Sequence, residues 1–140
     1  MEKVLVAGAT GATGKHIVDL LKESPYFEPF AMIRKEDQKE PFEDQNIKWV
    51  LGDVSDDIKH TCTGMDKVIF AAGSGGKNVV EIDQEGAKKL IDASQSNNVK
   101  KFIMLSSMGT DQPKQSDDLQ EYLEAKQNAD RHLKNSDLNY

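Results

Sequence analysis

Seven residues near the N-terminus constrain this chain more than any others. Gly8-Ala9-Thr10-Gly11-Ala12-Thr13-Gly14 places glycines at i, i+3 and i+6, directly after the apolar run Lys3–Ala7 and just before a helical pattern. A short β-branched run ending at glycine reads as a buried strand. Ile17, Leu20 and Leu21 then fall at helical spacing, and the helix should stop near Ser24-Pro25, because the proline ring disfavours helical geometry in the residue before it. Glycines between a strand and a helix let the main chain approach a diphosphate closely, and the helix N-terminus offers that anion unpaired N–H groups. The spacing therefore nominates Gly8, Thr10, Gly11, Ala12, Thr13 and Gly14 as phosphate-cradling residues; a tight turn with no ligand is the other reading. A nucleoside-triphosphate loop does not fit, because Ala9 stands where that motif needs its first glycine. His16 also follows Lys15 where Ser or Thr should hold magnesium.

The rest of the chain alternates in the same way. Phe30–Ile33, Lys48–Leu51, Lys67–Ala72 and Lys101–Leu105 read as further strands. Val79, Ile82, Gly86, Leu90 and Ile91 mark one face of a helix running to about Gln95; Leu119, Tyr122, Ala125, Ala129 and Leu133 mark another. The charged stretch Lys35–Asp44 reads as a solvated loop. Strands alternating with helices imply right-handed crossovers and an α/β domain, a parallel sheet between two helical layers. A length of 140 residues, 37% of them hydrophobic, suits one such domain. No apolar run is long enough for a membrane span, and the N-terminus carries no tripartite signal. The single cysteine, Cys62, suits a reducing compartment, so the expected location is cytoplasmic. A net charge of −6 with no large uncompensated basic block argues against nucleic acid as a partner.

The run VLVAGATGATG resembles the nucleotide-binding fingerprint of the short-chain dehydrogenase/reductase superfamily, in its extended or atypical branch. GDV at Gly52–Val54, AAGSGG at Ala71–Gly76 and YLEAKQNADRHLKNSDLNY at Tyr122–Tyr140 resemble the same branch, in its epimerase/dehydratase-like and NmrA-like group. The resemblance implies that residues 1–140 form an NAD(P)-binding domain with a Rossmann-type, doubly wound parallel sheet of about five strands. It further implies that Asp53 faces the adenine amino group, that Val54 packs on the ring, and that Ala71, Ala72 and Gly73 lie beside the ribose and diphosphate. A turn cap is the plain alternative for Asp53, and close strand–helix packing for the small residues. In the family a sixth strand and a substrate-pocket segment begin near Tyr140. On that reading the fifth strand has an edge open to pairing with a second copy of the chain.

In a dinucleotide fold the end of the second strand decides between NAD and NADP. Arg34 and Lys35 stand there rather than a carboxylate, and a guanidinium grips phosphate through charge-assisted hydrogen bonds. Arg34 is thus the expected 2′-phosphate ligand and NADP the expected cofactor, with NAD as the alternative. Glu36 and Asp37, close by, weigh against it.

Tyr122 and Lys126 share a helix face at i and i+4. A lysine cation near a phenol would lower its pKa toward the range of a useful acid/base. By resemblance Ser107 would bind the substrate oxygen, Tyr122 would transfer the proton, and Lys126 would also hold the nicotinamide ribose; otherwise Tyr122 packs on the sheet and Lys126 is solvated. His16, His60, His132 and Cys62 have no metal-ligand spacing. The expected function is hydride transfer between NADP and a small carbonyl or alcohol. The competing one is a dinucleotide-binding redox sensor without turnover.

Overall fold

The computed structural model describes residues 1–140 apart from 76, 108–109, 111–112 and 114–118. The chain runs β1 (Glu2–Ala7), α1 (Ala12–Glu23), β2 (Phe27–Ile33), α2 (Glu40–Glu43) and β3 (Lys48–Leu51). It continues through β4 (Lys67–Phe70), a π-helical segment (Val79–Gly86), α3 (Ala87–Ser96), β5 (Lys101–Met104) and α4 (Gln120–Lys134). Single 3-10 turns occupy Glu36–Gln38 and Lys59–Cys62.

The five strands form one parallel sheet in the order β3-β2-β1-β4-β5. From β1 the chain winds outward to β2 and β3, then returns to the other side of β1 for β4 and β5. The doubly wound α/β architecture expected from the alternation is therefore what forms.

Period-two geometry sends alternate β1 side chains to opposite faces. Val6 joins Val18 of α1, Ala31 and Ile33 in one apolar cluster. Leu5 and Ala7 join a second, larger one with Phe70, Leu90, Ile91, Phe102, Ala129 and Leu133, beneath α3 and α4. Burial on both faces explains why β1 reads as a continuous apolar run. Phe70 and Phe102 are fully buried, and such side chains each contribute about 1.5–3 kcal/mol.

Five expectations need correction. β2 begins at Phe27, not Phe30, although Pro29 lies inside it; β3 pairs only from Phe30 onward, so β2 is an edge at Pro29, where a missing N–H is tolerated. β4 ends at Phe70 and β5 at Met104, short of Ala72 and Leu105. Lys35–Asp44 is not simply a solvated loop, because its short helix buries Phe42 against Ile33 and Ile47. The helix after β4 is not α-helical throughout but winds as a π-helix over Val79–Gly86 before continuing as α3. At the β5 edge, the N–H of Phe102 donates to the carbonyl of Asn139 at 2.8 Å, so the C-terminal residues lie along that edge.

Candidate functional site

At the sheet's switch point, between β1 and β4, the chain leaves the carboxyl ends of neighbouring strands in opposite directions and opens a crevice. A cleft of 340 Å³ lies there, lined from the β1 side by Ala7, Gly8, Thr10 and Gly11. Met32 and Arg34 line it from β2, Gly52, Asp53 and Val54 from β3, and residues 71–74, 77, 78 and 82 from β4 and beyond. Gly8, Thr10, Gly11, Arg34, Asp53, Val54, Ala71, Ala72 and Gly73 thus converge on one cavity, although they are spread over 66 positions of sequence (8 to 73).

The glycines of the turn divide their work. Gly8 has φ +85, and a Cβ there would stand 2.5 Å from the backbone of Ala71 and Ala72. A Cβ at Gly14 would meet the carbonyl oxygen of Gly8 at 1.8 Å. Both are required by main-chain crowding: Gly8 lets the loops after β1 and β4 touch, and Gly14 lets α1 seat on the turn. Gly11 is different. It is exposed, its backbone is extended (φ −77, ψ 168), and its nearest neighbour to a Cβ is the Gly8 oxygen at 3.4 Å, an ordinary contact. Nothing in the fold itself forbids a side chain at Gly11, which lines the cleft. Ala12, Thr13 and Gly14 are not among the described lining residues. They form the first turn of α1, which has no side-chain cap, so their N–H groups have no acceptor within the helix.

Arg34 is exposed at the rim of the cleft, one residue past β2. Among the described residues no carboxylate pairs with its guanidinium, and Glu36 is taken by Lys39 at 3.3 Å. Asp53 is partly occupied: its Oδ1 accepts from the Ser55 N–H at 3.0 Å and the Ser55 hydroxyl at 2.8 Å. These bonds, with smaller help from Arg34 and Lys89, hold the carboxyl below its ordinary pKa. Asp53 therefore caps the turn after β3, and it also lines the cleft. Val54 is buried, and a Cβ on Gly86 would come within 2.8 Å of its Cγ2.

Sequence reasoning missed Asp83. It sits on the π-helix, 2% exposed, and accepts from the Ser74 hydroxyl at 2.8 Å and more weakly from the Ser74 N–H at 3.4 Å. The carboxylate thereby holds the loop after β4 at the border of the cleft, where Gly73 leaves it room: a Cβ there would lie 3.2 Å from Oδ1. Lys77 and Asn78, also missed, line the same cleft. Gly76, the last residue of the AAGSGG stretch, lies outside the described residues.

Ser107, Tyr122 and Lys126 are not among the cleft's described lining residues. Ser107 is half-buried beyond the end of β5, and its neighbour Ser106 donates to Asp130 Oδ2 at 2.6 Å. Lys126 is 2% exposed rather than solvated, with Nζ 5.3 Å from the centroid of the Phe70 ring and 3.9 Å from Met104 Sδ. Burial lowers its pKa, against the opposing pull of Asp83 and Asp130. Tyr122 is half-buried, and its phenol is pushed up, first by burial and then by the negative charge of Asp83. The lysine-assisted lowering expected for Tyr122 is therefore not what this arrangement produces.

Fold and cleft together define a dinucleotide-binding α/β protein: glycine backbone where a diphosphate needs close approach, an uncapped helix start beside it, and a cation at the end of β2. The chain belongs to the NAD(P)H-binding family, whose model matches residues 8–140. This places it in the extended short-chain dehydrogenase/reductase superfamily that the glycine turn resembles. It is 34% identical to the uncharacterized sugar epimerase YhfK of Bacillus subtilis, over 99% of this chain and 68% of that one. A Bacillus halodurans structure named as an NAD-dependent epimerase/dehydratase superposes with a TM-score of 0.91 at 36% identity, covering 99% of this chain and 67% of that one. The Lactococcus lactis oxidoreductase ylbE superposes with a TM-score of 0.85 at 33% identity, covering 97% and 66%. The chain thus spans about two thirds of the length of these relatives. Among the described residues no helix is long and apolar enough to cross a membrane.

Proposed function

We propose that this chain binds NADP(H) in the cleft at the switch point and serves as the cofactor domain of a reductase acting on a small carbonyl or alcohol. The observation that carries the reading is the convergence of the glycine turn, Arg34, Asp53 and the small residues after β4 on one cavity. Gly8 and Gly11 keep the floor of that cavity free of side chains, and the first turn of α1 supplies N–H donors to a diphosphate. Arg34, which makes no ion pair among the described residues and feels Asp53 only as a more distant charge, is available for a 2′-phosphate, which favours NADP over NAD. The reduced nicotinamide, when bound, supplies a hydride. Tyr122 is the group of this chain suited to exchange the matching proton with the substrate oxygen, Ser107 to orient that oxygen, and Lys126 to place positive charge beneath them.

A second reading has its own support. The raised phenol and the position of Tyr122 away from the described cleft lining suit a dinucleotide-sensing regulator that performs no turnover. Incubating the protein with NADPH and a panel of carbonyls and flavins, and following cofactor absorbance, separates the two. Catalytic oxidation of NADPH with any acceptor supports the reductase. Tight NADPH binding with no oxidation across the panel supports the sensor.

A further inference from the structure

The loop after β2 holds a device that neither the glycine turn nor the family match accounts for. The N–H groups of Arg34 and Lys35 both donate to one atom, Gln38 Oε1, at 2.9 and 3.0 Å. Two donors on that atom also settle which end of the amide faces the backbone, since an NH2 group cannot accept them. Residues 36–38 make a single turn, closed by the Gln38 N–H on the Lys35 carbonyl at 3.0 Å. Consecutive backbone N–H groups aimed at one point are an arrangement that favours negative charge. Here the acceptor that fills it is a neutral amide oxygen.

We infer that Gln38 is a positioning residue that sets the choice between NADP and NAD, by tying down the Arg34–Lys35 backbone with an uncharged acceptor. The inference rests on the proposed role of Arg34 at the 2′-phosphate. Its argument is geometric and electrostatic. The two bonds fix the backbone of Arg34 one residue past the sheet, where its side chain lines the cleft. They also use both backbone donors, leaving the Arg34 guanidinium as the positive group of this loop that lines the cleft. Within the loop Lys39 is paired with Glu36 at 3.3 Å and lies 5.6 Å from the Trp49 ring centroid. A carboxylate in place of the Gln38 amide would keep both bonds, and strengthen them. It would also set a negative charge beside Arg34, where it opposes a phosphate and tolerates a ribose hydroxyl.

The test is calorimetric titration of the 140-residue chain with NADP+ and NAD+, using wild type, Gln38→Glu and Gln38→Ala, with thermal melts of all three. Wild type should prefer NADP+. Gln38→Glu should melt no lower than wild type yet lose about tenfold in NADP+ affinity, the scale of one charge-assisted contact, with NAD+ binding kept. Gln38→Ala should loosen the loop and lose several-fold toward NADP+ alone. A purely structural role for Gln38 would instead show as a lower melt in Gln38→Ala with the NADP+/NAD+ ratio unchanged in both variants, and would overturn the inference. A wild type that prefers NAD+, or binds neither nucleotide, overturns the Arg34 reading itself before any variant is compared, and the inference with it.

Discussion

The cleft at the switch point and the Tyr122–Lys126 corner on α4 both lean on Asp83 but are built on different principles. The cleft is made by backbone: Gly8 at positive φ, Gly14 pressed on Gly8, and loops that touch because Gly8 has no Cβ to meet the main chain of Ala71 and Ala72. Its chemistry follows from which atoms are missing. The corner is made by side chains whose properties depend on one another: burial raises the phenol of Tyr122, and Asp83 adds to that rise while resisting the loss of the Lys126 charge. A backbone site survives many substitutions around it, whereas a coupled side-chain site changes with each partner. Binding should therefore be robust and proton transfer fragile.

The largest expected effect lies on the cleft side. Gly14→Ala puts a methyl 1.8 Å from the Gly8 oxygen, so α1 must lift from the turn. Overpacking of this kind typically costs about 1–3 kcal/mol and sometimes more, to be read as a lower urea midpoint with dinucleotide binding lost in parallel. A variant of wild-type stability would show that the turn has slack, and would blur the contrast with Gly11.

On the corner, Tyr122→Phe should lower kcat by at least ~100-fold, the lower range for general acid–base catalysis, with the NADPH dissociation constant unchanged. Steady-state kinetics on any substrate found in the panel checks this; full activity would make Tyr122 a packing residue. Confined to one of the two nucleotides, Arg34→Ala should cost NADP+ binding roughly 1.5–3 kcal/mol and leave NAD+ almost untouched. Equal losses for both nucleotides would show that Arg34 does not read the 2′-phosphate.

The smallest effect concerns Lys126 and pH. Its pKa is lowered by folding, so between that value and the unfolded value of about 10.4 the unfolded chain holds more protons, and stability rises with pH. The penalty for burying the charged form is felt in full below the folded pKa and fades toward pH 10.4. Urea unfolding at pH 7 and pH 10 should show this contribution in wild type and its absence in Lys126→Met. An identical pH response in the two proteins would mean that the ammonium is solvated in the folded state.

The same division governs how far the sequence could be read. Backbone requirements leave a direct trace, because only glycine meets them; the 8-11-14 spacing and the apolar strands therefore located β1, α1 and the cleft. Arg34 was legible because it follows a strand end. Asp83 was not: a lone acid in a helical pattern reads as solvent-facing, and the π winding that turns it inward leaves no signature at a 3.6-residue period. Phe42 escaped for a related reason, since a four-residue helix is too short to show periodicity. The Tyr122–Lys126 spacing was legible, but the upward shift of the phenol comes first from burial, which spacing does not reveal, and then from Asp83, 39 positions away.

Gly11→Val tests the central claim most directly, because Gly11 is the glycine of the turn that the fold does not require. Titrating wild type and Gly11→Val with NADPH by calorimetry, with thermal melts alongside, should give saturable binding to wild type. The variant should melt as wild type does and show no detectable binding. Equal affinity in both proteins would contradict a diphosphate lying against the turn, and with it the account of the cleft.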